Sequence, residues 1–524
     1  MKYLNTFFII AILLVALPTP RAYALGIPRD SISVQRRVVE RWSNWDMMRG
    51  PYLDNVALHA FRYQSSLSTF GFRMDGNRNS NTFLHEYGQG QNIYQLFANT
   101  YLQPSEKEHI WGNASYYNGK KYGIKWNSTS DYETLYPYIV ADTIGGNMLH
   151  ETYAFGGGYS RNINQIRVSG EVAYRSLQEY RKKDPRPRNI VSDLKVNTGI
   201  AYTFRGYHIG ASVGCGQYKQ RSSVSFYSPL GTVLQYLSEG LGSSFNRFNS
   251  DDPAVYYRGY SYSASLHIAS KNPDKGLIGE ATYRGQSLQQ ILTKLNEVPI
   301  HQHQTRSVDV RLGYLFTTHN DHLRWMIDWH GNVSERVGTE HIIGEPKAGT
   351  YPIIGYLRNF IGIEAESQIS FHLSKSPKSQ SNWHWYIERQ IGFQLIDIRK
   401  IEPEKRLKVV QWGSNVKGQL SYILPHQQMI ALQVKSGFTP KAKGLLTLPY
   451  ITMPEYDIKH IEHTYQALTC SRFGLTVAPK YYQTFNLQPV PFGIEVALEY
   501  TYTRYNTPTP IHHHGWLASI QMAF

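Results

Sequence analysis

From about residue 56 onward the chain alternates. Apolar side chains recur at every second position in one segment after another, most of them 10 to 15 residues long. In "SVDVRLGYLFT", Val308, Val310, Leu312, Tyr314 and Phe316 share one register, and Asp309, Arg311, Gly313 and Thr317 the other. In "LRWMIDWHGNVS", Leu323, Trp325, Ile327, Trp329 and Val333 oppose Arg324, Asp328, His330 and Asn332. Near the end, Phe492, Ile494, Val496, Leu498, Tyr500 and Tyr502 oppose Glu495, Glu499, Thr501 and Thr503. A period of two is that of an extended strand with one apolar face. In a sandwich the apolar face meets a second sheet and strand length is free, whereas a tilted strand crossing a bilayer needs about 9 to 11 residues. The recurring length predicts strands that turn apolar faces to lipid and charge to an interior.

Composition agrees. Aromatics are 14% of residues, with 40 tyrosines, and charged residues only 18%. A helical membrane protein would be far more apolar; a barrel averages its two faces and carries aromatic girdles at both interfaces.

Short connections, "PSEK" (104–107), "RNIN" (161–164), "RG" (205–206), "KNPDK" (271–275), "THND" (318–321) and "PHQQ" (425–428), alternate with long ones. The long ones are residues 76–91, 118–148, 177–191, 220–257, 286–304, 335–354, 397–407, 439–463 and 505–514. Short periplasmic turns and long outer loops are the pattern of outer-membrane barrels. The expectation is a transmembrane antiparallel β-barrel of about 18 strands, range 14 to 18: one opening strand, eight hairpins and a closing strand. Two features strain that count. Pro489 and Pro491 interrupt residues 480–503, and Arg389 falls in the outward register.

The first residues, "MKYLNTFFIIAILLVALPTPRAYA", have the layout of a cleaved export signal, with an apolar run at 7–17 too short to span a bilayer as a helix. The organisation read from the sequence is a signal peptide at 1–24, a periplasmic or hatch segment at 25–55 with a helix-like stretch at 34–48, and a barrel at 56–524. Two cysteines, Cys215 and Cys470, give no disulfide framework, and their outward and inward registers argue against a bridge.

The chain ends on "HHHGWLASIQMAF", with Trp516, Ala518, Ile520, Met522 and Phe524 on one side of a strand. This resembles the C-terminal signature of bacterial outer-membrane β-barrel proteins, which their assembly machinery reads at the final aromatic, here Phe524. In length and pattern the chain is similar to uncharacterised Bacteroidota-type barrels that are porin-like in form. The resemblance implies an exported protein of the cell outer membrane, in contact with its lipid, with a TonB-dependent transporter and a surface lipoprotein as partners. A TonB-dependent transporter itself has a much larger plug and about 22 strands, so the resemblance does not extend to that class.

Candidate lumen-facing charges are Arg167, Arg175, Lys195, Arg205, Arg284, Arg311, Arg324 and Lys417 against Glu171, Glu280, Asp309, Asp328, Glu495 and Glu499. Rings of charge set selectivity in pores, and paired charges close a lumen. The net charge is +15, or +13 without Lys2 and Arg21, which favours anions or anionic head groups. The basic residues are dispersed, so nucleic acid is not an expected partner. In the longest loop Val233, Leu234, Leu237 and Leu241 recur at helical spacing, a stripe to be buried inward as a constriction or outward on a partner. Tyr132, Tyr136 and Tyr138 could stack on sugars or form a girdle.

His301 and His303, His460 and His463, and His512, His513 and His514 cluster in predicted outer loops, where imidazoles could hold a metal or haem iron. No acid or cysteine stands with them at a defined spacing, so no resident cofactor is expected. Asp328 and His330 share a face but sit in no catalytic motif, so no enzyme is expected. The expected function is a porin-like channel or an accessory subunit of a nutrient-uptake complex. The alternatives are a hydrophobic-solute channel with residues 25–55 as its hatch, and a metal- or haem-capturing surface receptor.

Overall fold

The computed structural model describes residues 32–524 apart from 230, 249–252, 319–322, 376–381, 426 and 487–490. The export signal expected at 1–24 lies outside the described residues. Eighteen strands form the wall. They are β1 (Leu67–Asn79), β2 (Gly90–Ser105), β3 (Glu108–Ile124), β4 (Gly146–Ile163), β5 (Ile166–Tyr180) and β6 (Arg186–Phe204), then β7 (Tyr207–Ser225), β8 (Ala254–Ser270), β9 (Gly276–Leu292), β10 (Val298–Thr317), β11 (Leu323–Ile343) and β12 (Ile353–Lys375). The wall continues with β13 (Trp383–Lys400), β14 (Lys405–Leu424), β15 (Gln428–Thr439), β16 (Arg472–Phe485), β17 (Phe492–Tyr505) and β18 (Ile511–Ala523). Each pairs antiparallel with the next, and β18 returns to β1 in the register Thr69↔Ala523, which leaves no open edge. The Phe524 backbone extends this seam, donating to and accepting from Ser68 at 3.0 Å. No helix among the described residues is long and apolar enough to cross a membrane.

The outward register is apolar and exposed around the wall, as at Val172, Ile200, Val213, Leu266, Leu312, Ile327, Ile369, Ile391, Leu432, Leu498 and Ile520. Such a continuous belt is the surface that lipid covers. The six short turns read from the sequence all join hairpins at one end. β16 and β17 pair on either side of residues 486–491, of which 487–490, Pro489 among them, lie outside the described residues, and β12 and β13 pair on either side of 376–382, of which 376–381 lie outside them. Arg389 does stand outward, between Phe371 and Val416 in the ladder.

Several predicted loops are shorter than expected because the ladder continues beyond the belt. Residues 397–407 contribute only a turn at 401–404, and residues 286–304 and 335–354 are mostly strand. In these extensions the inward face turns apolar, since it packs on folded loops. Leu177, Val191, Tyr218, Tyr257 and Leu288 replace the polar residues found lower on β5 to β9. The stripe expected to be helical at 233–241 instead contains the short strand Tyr236–Gly240. It is folded inward, with Leu237 and Leu241 buried and Leu234 exposed. Cys470 ends a helix, α3 once the two N-terminal helices are counted (Glu455–Thr469), rather than standing in a strand; Cys215 and Cys470 are both free.

Those N-terminal helices are α1 (Val34–Trp42) and α2 (Asn44–Leu53), capped by Ser33 and Ser43, whose hydroxyls accept from Arg36 N and Asp46 N. Their apolar faces meet inward-facing side chains on different sides of the wall. Val34 and Val38 pack with Met429, Tyr482 and Ala523. Met48, Tyr52, Leu53 and the following Leu58 pack with Ala201, Ala269, Ile278, Leu315, Met326 and Tyr386. The segment therefore crosses the lumen as a plug near the turn end.

Candidate functional site

Polar anchors fix the plug where its apolar contacts would allow sliding. Trp42 Nε1 donates to Glu495 (3.0 Å), Asn44 Nδ2 to the Trp385 carbonyl (2.8 Å), and the Tyr52 hydroxyl to Asp328 (3.1 Å). Beyond α2 the chain threads close to β6, where a Cβ on Gly199 would lie 2.8 Å from the Ala57 Cα; glycine is required for that approach. Phe61 stacks on His208 at 3.8 Å, and His59 lies against Trp111 at 4.6 Å. Burial holds the His59 imidazole well below its ordinary value, at about 4, with Asp54 as a partial counterweight.

At the opposite end two loops fold into the mouth. The β3–β4 loop carries a helical turn, Tyr132–Leu135, and a short strand, Val140–Ala141, that pairs with Tyr236–Gly240 of the β7–β8 loop. Leu135, Ile139, Val140 and Leu237 pack into the apolar upper wall. Ion pairs bolt this lid: Asp131 to Arg175 (2.7 Å), Asp142 to Arg181 (3.1 Å) and Glu239 to Lys400 (3.0 Å). The Tyr136 backbone carbonyl accepts from Arg336 at 2.6 Å, and Tyr138 stacks flat on His301 at 4.3 Å.

Between plug and lid lies a cavity of about 650 Å³. Its floor is Asp54, Asn55, Val56 and His59, and Thr134 of the lid reaches it from above. The wall presents Ser212, Ser261, Ser263, Ser265, Thr282, Asn113 and Asn197 between charges of both signs, Arg175, Lys195 and Arg284 against Glu171, Asp193 and Glu280. Asp193 stands 3.7 Å from both Arg175 and Lys195, and Glu171 accepts from Trp111 Nε1 at 3.0 Å. A second cavity of about 300 Å³ runs beside the plug and shares His59, Trp111 and Asn113 with the first. His59 thus stands between the two spaces.

The predicted lumen charges divide by use. Glu171, Arg175, Lys195, Glu280 and Arg284 line the chamber. Asp328 and Glu495 hold the plug, and Arg167 helps, lying over Phe61 and bonded to His109 Nδ1 at 2.7 Å. Asp309 receives His330 Nε2 at 2.8 Å from the neighbouring strand and lies 3.5 Å from Arg311, so the Asp328 and His330 read together from spacing have different partners. Arg324 pairs with Asp274 near the turns, Lys417 with Glu388 at 3.8 Å, and Glu499 is exposed in β17. Arg205 is not a lumen charge: it occupies a two-residue turn at φ 47°, exposed beyond the end of β6.

The histidines are dispersed by the fold. His301 and His303 lie in β10, buried beneath the lid rather than in an outer loop. His512, His513 and His514 lie in β18, where alternation sends His512 and His514 to Tyr502 and Tyr500 and His513 to Asn79. His460 and His463 are on α3, with His460 Nε2 3.0 Å from Glu86 and the His463 ring 4.5 Å from that of His85. Among the described residues no group of three His, Cys, Asp or Glu is arranged to hold a metal ion. Asp54, His59, Asp131 and Glu239 escaped the sequence reading, because an acid or imidazole in a connecting segment carries no periodic signal.

Among solved structures the chain is similar to BauA, the ferric preacinetobactin receptor of Acinetobacter baumannii, at 9% identity and a TM-score of 0.39, over 88% of this chain and 79% of that one. It is similar to a mutant of the ferric enterobactin receptor PfeA of Pseudomonas aeruginosa at 7% identity and a TM-score of 0.38, over 90% and 82%. It is also similar to a chain of the RagAB peptide importer at 8% identity and a TM-score of 0.39, over 88% and 87%. No curated protein matches the sequence. The model of a family of unknown function, DUF6850, matches residues 56–524, the whole wall from β1 to β18, and the chain belongs to that family.

Proposed function

We propose that this protein is an uptake barrel of the outer membrane, porin-like in its wall but gated, which takes a small polar solute into a chamber between an N-terminal plug and an inward-folded lid. The observation that carries the reading is the 650 Å³ chamber itself, bounded below by Asp54–His59, reached from above by Thr134 of the lid, and lined by hydroxyls, amides and charges of both signs. Cavities of roughly 300 to 1,000 Å³ are the size that holds small ligands. Such a lining suits a polar or zwitterionic solute and disfavours the hydrophobic-solute alternative, whose walls would be apolar.

Planar-bilayer recording tests it. The intact chain is expected to be closed for most of the record, and a variant lacking residues 32–62 to conduct steadily. Steady full conductance of the intact chain would overturn the gated reading.

A second form of the proposal is an accessory subunit beside a TonB-dependent transporter and a surface lipoprotein. It is supported by Ile144, Tyr450, Ile451 and Tyr456, apolar side chains exposed on the long-loop side. Affinity purification from the native membrane should then bring both partners along, and recovery of the barrel alone counts against it.

A further inference from the structure

One carboxylate on the lipid-facing wall is nearly buried by two guanidinium groups. Asp397, in the outward register of β13, is 4% exposed. Its Oδ1 accepts from Arg399 Nε (3.1 Å) and Arg406 Nε (3.0 Å), and its Oδ2 from Arg399 Nη2 (2.5 Å) and Arg406 Nη2 (2.7 Å). Two Arg forks thus share one acid, which fixes both through Nε and Nη2. Lys408 stands directly across from Asp397 in the ladder. Lys443, on the short strand Lys443–Thr447 that pairs with β14, stands across from Val410 in the same outward register. Two guanidinium groups therefore hold Asp397, with Lys408 and Lys443 in the same outward register on the neighbouring strands, and Glu402 and Glu404, the latter acting on Arg406, in the turn above. Glu335, an outward acid farther round the wall, is itself across from Arg306.

The height of this cluster matters. Trp383, half exposed beside Tyr422, marks the turn-side edge of the belt on β13. Leu395 lies twelve residues above it, about 30 Å at about 3.3 Å per residue and a tilt of about 40°. The exposed Phe393 and Trp412 face each other across β13 and β14 just below that level, as an upper aromatic girdle does. Asp397, Arg399, Arg406 and Lys408 come immediately above, where head-group phosphates lie.

We propose that this cluster is a binding site for the phosphate of an anionic lipid head group in the leaflet at the long-loop end. The inference rests on the reading of the wall as membrane-embedded. Two guanidinium groups held side by side by one acid, in a cluster of net positive charge, suit a phosphate through the donors that Asp397 does not take, and basic clusters at a membrane boundary recognise anionic head groups.

The test uses the full chain purified in detergent, with diphosphoryl lipid A as probe, dephosphorylated lipid A and inorganic phosphate as the other arms, and native mass spectrometry as readout. The wild type is expected to retain diphosphoryl lipid A and not the dephosphorylated form, with no displacement by equimolar phosphate. R399Q/R406Q and K408Q/K443Q should each retain at least fivefold less, with unchanged insertion into phosphatidylcholine liposomes. Equal retention by both variants, equal retention of dephosphorylated lipid A, or variant-sensitive binding of free phosphate alone would overturn the site. Failure of the wild type to enter liposomes would overturn the membrane reading beneath it, whereas insertion without phosphate-dependent retention overturns only the site.

Discussion

Arg175 on the wall and Asp131 in the lid form a two-pronged bond, Nη1 to Oδ1 at 3.0 Å and Nη2 to Oδ2 at 2.7 Å. Tyr218 adds its hydroxyl to the same carboxylate at 3.0 Å. One loop acid, held at φ 52°, therefore joins a chamber residue to the element that covers the chamber.

Removing that charge should free the lid. Asp131→Asn keeps the shape but loses the ionic pair, and hydrogen bonds to charged groups contribute about 1.5–3 kcal/mol. The lid of this variant should open at least tenfold more often. Maleimide labelling of a cysteine placed at Ser263 in the chamber measures this; an unchanged labelling rate would show that Asp131 does not hold the lid.

The plug should respond to a wedge. Gly199→Val places side-chain atoms where the Ala57 Cα already lies, and the wall can yield less than the plug. The expected result is an assembled barrel with frequent conductance steps, where the wild type is quiet. A variant as quiet as the wild type would mean that the plug is not displaced as a unit.

Acid should release the plug through His59. Its seated imidazole takes a proton only near pH 4, while the released one does so near its ordinary value of 6.5. Between those limits the released state binds more protons, so the plug loses stability as pH falls from 6.5 toward 4, by at most about tenfold in the open-to-closed ratio per pH unit. Above pH 6.5 this contribution is constant. Conductance recorded from pH 7.5 to 4.5 measures the effect, and His59→Phe should flatten the profile.

Deleting Phe524 removes both backbone bonds to Ser68 at the seam, together with the terminal aromatic. The fraction of chains in the compact, heat-modifiable form on semi-native gels should fall severalfold, while the few that close keep wild-type melting behaviour. Full assembly would show that closure needs only the ladder from Thr69 to Asn79.

The wall was legible because alternation is a local property. Each of Val308, Leu312 and Tyr314 announces its face by its distance from the next apolar residue, and eighteen strands follow from counting such runs. The extensions above the membrane were not legible in this way. There the outer face meets water and the inner face meets the lid, so the polar and apolar registers lose the contrast that marks a lipid-facing strand. The outward Arg389, a charge in an apolar register, was read correctly because register alone sets the side of a strand.

The sequence by itself determined that this chain closes into a barrel with its charge inside, since a strand's side chains must alternate and lipid accepts only one of the two sets. Only the tertiary structure decided what the charges do. Asp328 meets Tyr52 across 276 residues, Glu495 meets Trp42 across 453, and Asp131 meets Arg175 across 44. Such pairings depend on where a connecting segment folds, and a segment without a period carries no record of its destination.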